Sequence, residues 1–319
     1  MISFGLHKLQ IVIHKKFKVF LNPRQCVNGA VNLLLTCNFF SGNSSNLFTL
    51  TMKIFHFCVV VILLTLTSCR KEVLEHPEPT FDREAFHNRP MGGSAPELLS
   101  DRTYKALDVE IQYVTGFRPA DLTLDHLGTF LETYLNKPRG INISLKEITT
   151  VNADALSMED VAGIEKQSRT RFVHQDTTAI YILFTNGIHP GKRILGMAYR
   201  NTSAVVYGKA IRKYSSMEGR LTHHELETAV LLHEIGHLLG LVNKGSPLIT
   251  EHSDSVFSDH CKNKKCLMYH SVETKSLSSI LLKGHIPILD ASCIEDLVAN
   301  GGKNVPDYRP FIKPFSPVY

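Results

Sequence analysis

The stretch HEIGHLLGLVN, His233 to Asn243, sets two histidines four residues apart with Glu234 between them. On a helix that spacing is one turn, so both imidazoles can reach a single ion, and the glutamate beside them can take a proton from water held there. A catalytic zinc ion takes three protein ligands and keeps a fourth position open, where it lowers the pKa of water towards neutrality. This stretch supplies two ligands. Asn243 stands where a third would complete the run, and a neutral amide is a poor zinc ligand beside imidazole or carboxylate.

The helix that carries the pair is well specified. Thr222 and Glu225 form a capping box at its start. Leu226, Val230, His233 and His237 follow at spacings of four, three and four, on one stripe. Leu231, Leu232, Ile235, Leu238 and Leu239 cover much of the remaining surface, which predicts a largely buried helix. Gly240 can take a left-handed conformation and end it. His223 and His224, at the helix start, read as solvated or capping residues rather than ligands.

Upstream, the chain alternates. YKALDVEIQYVTG has strand character, and PADLTLDHLGTFLETYLNKP reads as a helix with Leu124, Leu127, Leu131 and Leu135 on one stripe, ending before Pro138. GINISLKEITTV alternates as a strand, and SMEDVAGIEKQSRTRF reads as a helix with Ser157 near its N-cap. TAIYILFTNG is an apolar, β-branched run suited to a buried strand, and RILGMAYRNTSAVVYG supplies one or two more strands around a turn. The order β-α-β-α-β-β ahead of the motif implies an α+β class with helices packed on a mixed sheet.

The chain has 319 residues, is 43% hydrophobic and 20% charged, and carries a formal charge of +5. That excess is local: residues 1–51 hold Lys8, Lys15, Lys16, Lys18 and Arg24 and no acidic residue, and from Met52 onward basic and acidic residues balance. No basic footprint for nucleic acid is expected. The segment 52–69, MKIFHFCVVVILLTLTSC, has a basic start, an apolar run too short for a membrane span and a small-residue end, the layout of a secretory signal. Leu66-Thr67-Ser68-Cys69 resembles the lipobox of bacterial lipoproteins, in which the cysteine is lipidated. On this reading Met52 is the start and residues 1–51 are an upstream extension. The protein is then anchored to a bacterial membrane through Cys69, outside the cytoplasm, with the outer membrane or cell surface favoured over the inner membrane. Residues 70–104 are polar and proline-bearing and read as a flexible tether ahead of a catalytic domain at 105–319. In such an oxidising compartment Cys261 and Cys266 are expected to form a local disulfide, leaving Cys293 as an odd thiol.

His233, Glu234, His237 and Gly240 match the first part of HExxHxxGxxH, and the chain here resembles the metzincin metallopeptidases. Cys266-Leu-Met-Tyr269 resembles the Met-turn of matrixin-type members. His260-Cys261-Lys-Asn-Lys-Lys-Cys266-Leu-Met268 resembles the His-Cys-x4-Cys-x-Met run of archaemetzincins. In both groups the third zinc-binding histidine precedes the Met-turn methionine by eight residues, as His260 precedes Met268. The signature reads as interrupted: the sixteen residues KGSPLITEHSDSVFSD stand between the glycine turn and His260, and loops tolerate such insertions because closure entropy grows slowly with length. His252, inside the insertion, is the rival third ligand. Asn243 and the carboxylates Glu251, Asp254 and Asp259 rank lower. Archaemetzincins also carry a later CxxC that completes a second, four-cysteine zinc site; only Cys293 follows here, so that site is not expected.

The resemblance implies a metzincin-like zincin fold with a mixed twisted sheet, an active-site helix and a smaller irregular C-terminal subdomain containing the Met-turn. It implies a Zn2+ ion on His233, His237 and His260, Glu234 as general base, Met268 as the hydrophobic floor, and an upstream edge strand within LGMAYRNTSAVVYG that binds a protein or peptide substrate by strand addition. DASCIEDLVANGG resembles the C-terminal helix under the site, with Ile294 and Leu297 as core. The implied activity is zinc-dependent endopeptidase hydrolysis. Two alternatives are a non-catalytic surface lipoprotein that keeps the fold as a binding module and a metal-dependent hydrolase of a non-protein amide.

Overall fold

Five runs of alternating or continuous apolar residues become one sheet in the computed structural model of the chain. The structure describes residues 12–13, 17–18, 81–149, 154–191, 193–216, 222–272 and 286–304. The chain divides into two units, residues 1–78 and 79–319. In the first, Val12–Ile13 pairs antiparallel with Phe17–Lys18. The segment 52–69, read as a signal ending in a lipid-anchor cysteine at Cys69, lies outside the described residues. Among the described residues no helix is long and apolar enough to cross a membrane.

In the second unit the strands are β1 (Ala106–Val114), β2 (Ile141–Ile148), β3 (Thr177–Thr185), β4 (Gly196–Arg200) and β5 (Ser203–Tyr207). Their spatial order is β2-β1-β3-β5-β4. β1, β2, β3 and β5 run parallel, and β4 returns antiparallel to β5 as an edge strand. The parallel neighbours require crossovers, and helices supply them: α3 (Asp121–Tyr134) between β1 and β2, and α4 (Met158–Ser168) between β2 and β3. Central β3 is buried along nearly its whole length, as its continuous TTAIYILFT run requires, whereas edge strand β2 alternates with exposed positions. The expected mixed sheet with packed helices is therefore present. The stretch 194–208 gives two strands, joined by a tight turn at Asn201 and Thr202.

Helix α5 (Gly208–Ser215) follows β5 directly, and no signal in the sequence announced it. Its N-cap is Tyr207, which makes no side-chain cap, and only Gly208, Ala210 and Ile211 are buried. Helix α6 (His223–Leu238) starts at the Thr222–Glu225 capping box and is buried along most of its length. It packs on β4, β5, α3 and α5. Buried Glu227 accepts the amide of Ala120 at 2.8 Å, giving α3 the cap that its own sequence lacks, and the hydroxyls of Thr228 and Thr123 bond at 3.0 Å. Helix α7 (Ala291–Ala299) closes the described fold, with Leu297 buried and Ile294 packed at the core's edge.

Residues 81–104, read from their polarity as tether, are folded. Helices α1 (Arg83–His87) and α2 (Ala95–Leu99) lie here, and Ala95, Leu98 and Leu99 are part of the main core. The polar residues of this segment are used for anchoring. The Lys137 ammonium donates to the carbonyls of Glu97, Ser100 and Tyr104, which uses all three of its protons. Asn201 in the β4–β5 turn donates to the Phe86 carbonyl at 2.7 Å and the Ser94 hydroxyl at 2.8 Å, and His87 bonds the Thr202 hydroxyl at 2.8 Å. From the other side Glu165 of α4, paired with buried Arg169, accepts from Tyr199, Arg200 and Ser203. The edge strand is thus held at its turn from two directions.

Candidate metal centre

The two histidines of the HExxH stretch face one another across a single turn of α6. Their Nε2 atoms are 3.1 Å apart, and both residues are buried. His233 has a fixed tautomer: its Nδ1 donates to the Leu267 carbonyl at 2.7 Å, which leaves Nε2 as the lone-pair nitrogen. Burial pushes the His237 pKa down to about 3, with smaller contributions from His260 and Lys244, so that ring is neutral and able to ligate at physiological pH.

The third imidazole arrives from outside the helix. His260 is buried, stacks on His233 at 5.3 Å between ring centroids and meets His237 edge-on at 5.1 Å. One ligand nitrogen from each of His233, His237 and His260 lies within 4.8 Å of the other two. Asn243 and His252 are placed elsewhere. Asn243 is solvent-exposed, and His252 joins a different cluster against Asp296.

The backbone explains this division. Gly240 takes φ +76°, and Val242 and Asn243 take left-handed values of +54° and +62°. A residue with a Cβ at Gly240 would also meet the Ser246 amide at 2.6 Å. The chain therefore doubles back at once, and Ser246 returns to the helix end, its amide donating to the Gly240 carbonyl and its hydroxyl to Leu239. Lys244 and Asp259, which bound the sixteen residues ahead of His260, form an ion pair at 2.7 Å. The stretch between them is a compact loop with its ends together. Ser253 pairs with Cys261 in an antiparallel bridge, the Asp254 amide donates to the His260 carbonyl, and the Cys261 amide donates to Met268.

Glu234 is fully buried beside the imidazoles, and its Oε2 accepts the amide of Ala198 on edge strand β4 at 2.7 Å. Met268 lies under α6 at Gly236, where a Cβ would come within 2.3 Å of its sulfur. The donor set suits a metal ion. Two nitrogen ligands on one tetrahedral zinc at about 2.05 Å stand about 3.3 Å apart, and three imidazoles with a nearby carboxylate match a metal centre that keeps one position open. Sequence reasoning missed the groups that fix these side chains, the Leu267 carbonyl and the Ala198 amide, because backbone partners leave no mark in residue identity.

The expected disulfide is not formed. Cys261, Cys266 and Cys293 are all free thiols and all buried. The His260 segment is held instead by the short pairing at Ser253 and Cys261 and by the backbone bond that closes Cys261 onto Met268.

No protein-family model matches the chain, and no curated protein matches it in sequence. Among solved structures the chain is similar to an archaemetzincin from Methanopyrus kandleri, at 19% sequence identity and a TM-score of 0.42, over 61% of this chain and 96% of that one.

Proposed function

We propose that this chain is a zinc-dependent endopeptidase, with His233, His237 and His260 holding the ion and Glu234 acting as general base. The observation that carries the proposal is the meeting of three buried imidazoles beside a carboxylate that is itself tied to an edge strand. When bound, zinc supplies Lewis-acid polarisation of the scissile carbonyl and acidification of the attacking water. Glu234 receives the proton of that water on a carboxylate oxygen and passes it to the departing amine. The Ala198 amide fixes the carboxylate while it does so. Edge strand β4 runs beside the same carboxylate, and an extended peptide added along it would bring its scissile bond to Glu234. The Leu267 carbonyl keeps His233 in the tautomer that ligates through Nε2.

Anchoring of the chain through a lipid on Cys69 is a separate proposal. It rests on the residues 52–69 alone and is checked by radiolabelled fatty acid incorporation in the wild type and a Cys69→Ala variant.

The test of function compares zinc content and cleavage of a broad peptide library between the wild type and Glu234→Gln. We expect equal zinc in both proteins and cleavage in the wild type alone. Equal zinc with cleavage in neither protein would leave a binding module as the better account. Amide hydrolysis confined to non-peptide substrates would redirect the substrate class.

A further inference from the structure

We propose that Glu165 is a positioning residue for Glu234: it holds a β-bulge in edge strand β4 and so fixes where the Ala198 amide meets the Glu234 carboxylate. The inference rests on the function proposed above and adds to it a side chain that lies outside the three-histidine centre.

The bulge lies directly after Ala198. Ala198 pairs with Ala204 and the next pair along is Arg200 with Ser203, so Tyr199 is an extra residue on β4. Consecutive side chains of a regular strand point to opposite faces of the sheet. Here Tyr199 and Arg200 both donate to Glu165 Oε2, at 2.9 Å and 3.1 Å. Ser203, across from them on β5, donates to Oε1 at 2.6 Å. All three residues of the bulge therefore converge on one carboxylate. Bulges recur beside active sites, where they bend a strand and re-aim what it carries.

Glu165 is itself firmly placed. Its fourth donor is Arg169, whose Nη1 meets Oε1 at 2.7 Å, so each oxygen takes two donors and the acceptor capacity of the group is filled. Both side chains of this pair are buried. Arg169 also donates to the Arg171 carbonyl at 2.8 Å and to the Ala179 carbonyl on central strand β3 at 3.4 Å. A buried ion pair is weak support for stability, because well-packed apolar side chains of similar volume often serve as well. A fully satisfied polar network does specify one arrangement, which an apolar cluster does not.

Towards α6, β4 has little freedom to move. The Ala198 amide donates to Glu234 Oε2 at 2.7 Å, and a Cβ on Gly196 would stand 2.9 Å from Oε1. β4 is the last strand of the sheet, with a neighbour on one side only. Restraint of Ala198 therefore comes from β5 and from the side chains that follow it on β4. Misplacement of a reacting group by about 1 Å costs on the order of a hundredfold in rate, so the bulge bears directly on how Glu234 is presented.

Glu165→Gln would leave the Arg169 guanidinium buried without its counter-charge, so the test removes the donors on β4 instead. The double variant Tyr199→Phe/Arg200→Met keeps the Glu165–Arg169 pair and the Ser203 contact. In the full chain with zinc added, residue-resolved amide exchange should be about tenfold faster at Ala198, as for loss of one hydrogen bond. Exchange in β1 and β3 should be unchanged. At equal zinc content, kcat for peptide cleavage should fall about tenfold or more, with KM changed less than kcat. Tyr199→Phe/Arg200→Lys, which returns one donor to Glu165, should recover most of both effects. Should the double variant not fold, Arg200→Met alone takes its place with the same outcomes. Wild-type exchange at Ala198 would overturn the proposal, as would faster exchange spread equally over β1 and β3. Unchanged kcat beside faster exchange at Ala198 would overturn it too. If the wild type cleaves no peptide, the function proposed above fails, and exchange at Ala198 still decides whether Glu165 holds the strand against Glu234.

Discussion

A histidine that meets two others from outside the helix bearing them has to be delivered by separate backbone, and His260 shows how. The chain reverses at Gly240 to Asn243, makes a loop closed by Lys244 and Asp259, and enters the site one residue later. His260→Ala should therefore lower zinc affinity at the three-histidine centre by more than about a hundredfold, beyond the effect usual for losing an outer-shell partner, as measured by competition with a chelating dye. Asn243→Ala should leave that affinity unchanged, because the side chain is exposed and lies beyond the turn. The eight-residue spacing to Met268 made His260 legible as a candidate in the sequence. It could not separate His260 from His252, because the path of an inserted loop depends on tertiary partners. Asp296, forty-four residues further along, is what holds His252 away.

Helix α6 is built on features that its sequence largely displayed. The capping box at Thr222 and Glu225 and the left-handed stop at Gly240 both form as read. Thr222→Ala should cost about 1 kcal/mol of stability in urea denaturation, through loss of the N-cap. Gly236 had no evident meaning in the sequence, since its role appears only when Met268 packs against it. An added methyl there collides with the sulfur of a buried side chain, so Gly236→Ala should cost about 1–3 kcal/mol by overpacking, measured in the same denaturation experiment on metal-free protein. Wild-type stability in that variant would show that Met268 is not held against the helix. The short helix α5 was illegible because it has no side-chain cap and follows a strand with no intervening turn residue.

Across the whole molecule, the order of strands and helices was readable from hydrophobic periodicity, whereas the boundary of the folded unit was not. Polarity marked residues 81–104 as tether, yet their polar groups bond to Lys137, Asn201 and Thr202, partners distant in sequence. His87 is the titratable member of that contact. Burial, followed by the charges of Arg169, Arg83, Arg89 and Arg200, pushes its pKa down to about 3. The unfolded chain, with a histidine pKa of about 6.5, takes up this proton first, so the contribution is fully present above that pH. It is lost as pH falls from about 6.5 towards the folded value. Urea denaturation of the metal-free chain should thus show stability falling between about pH 7.5 and pH 5, with a shallower fall in His87→Gln. Identical slopes in the two proteins would mean that His87 protonates as readily in the folded chain as in the unfolded one.

His233, His237 and His260 meet beside Glu234, and the proposed function requires that they hold one zinc ion. Anomalous diffraction at the zinc edge from crystals of the zinc-loaded full chain tests it most directly. We expect an ion within about 2.0–2.1 Å of a ring nitrogen of each of the three histidines, with one coordination position open towards Glu234. An ion held by His233 and His237 with His252 or Asn243 in place of His260 would contradict it.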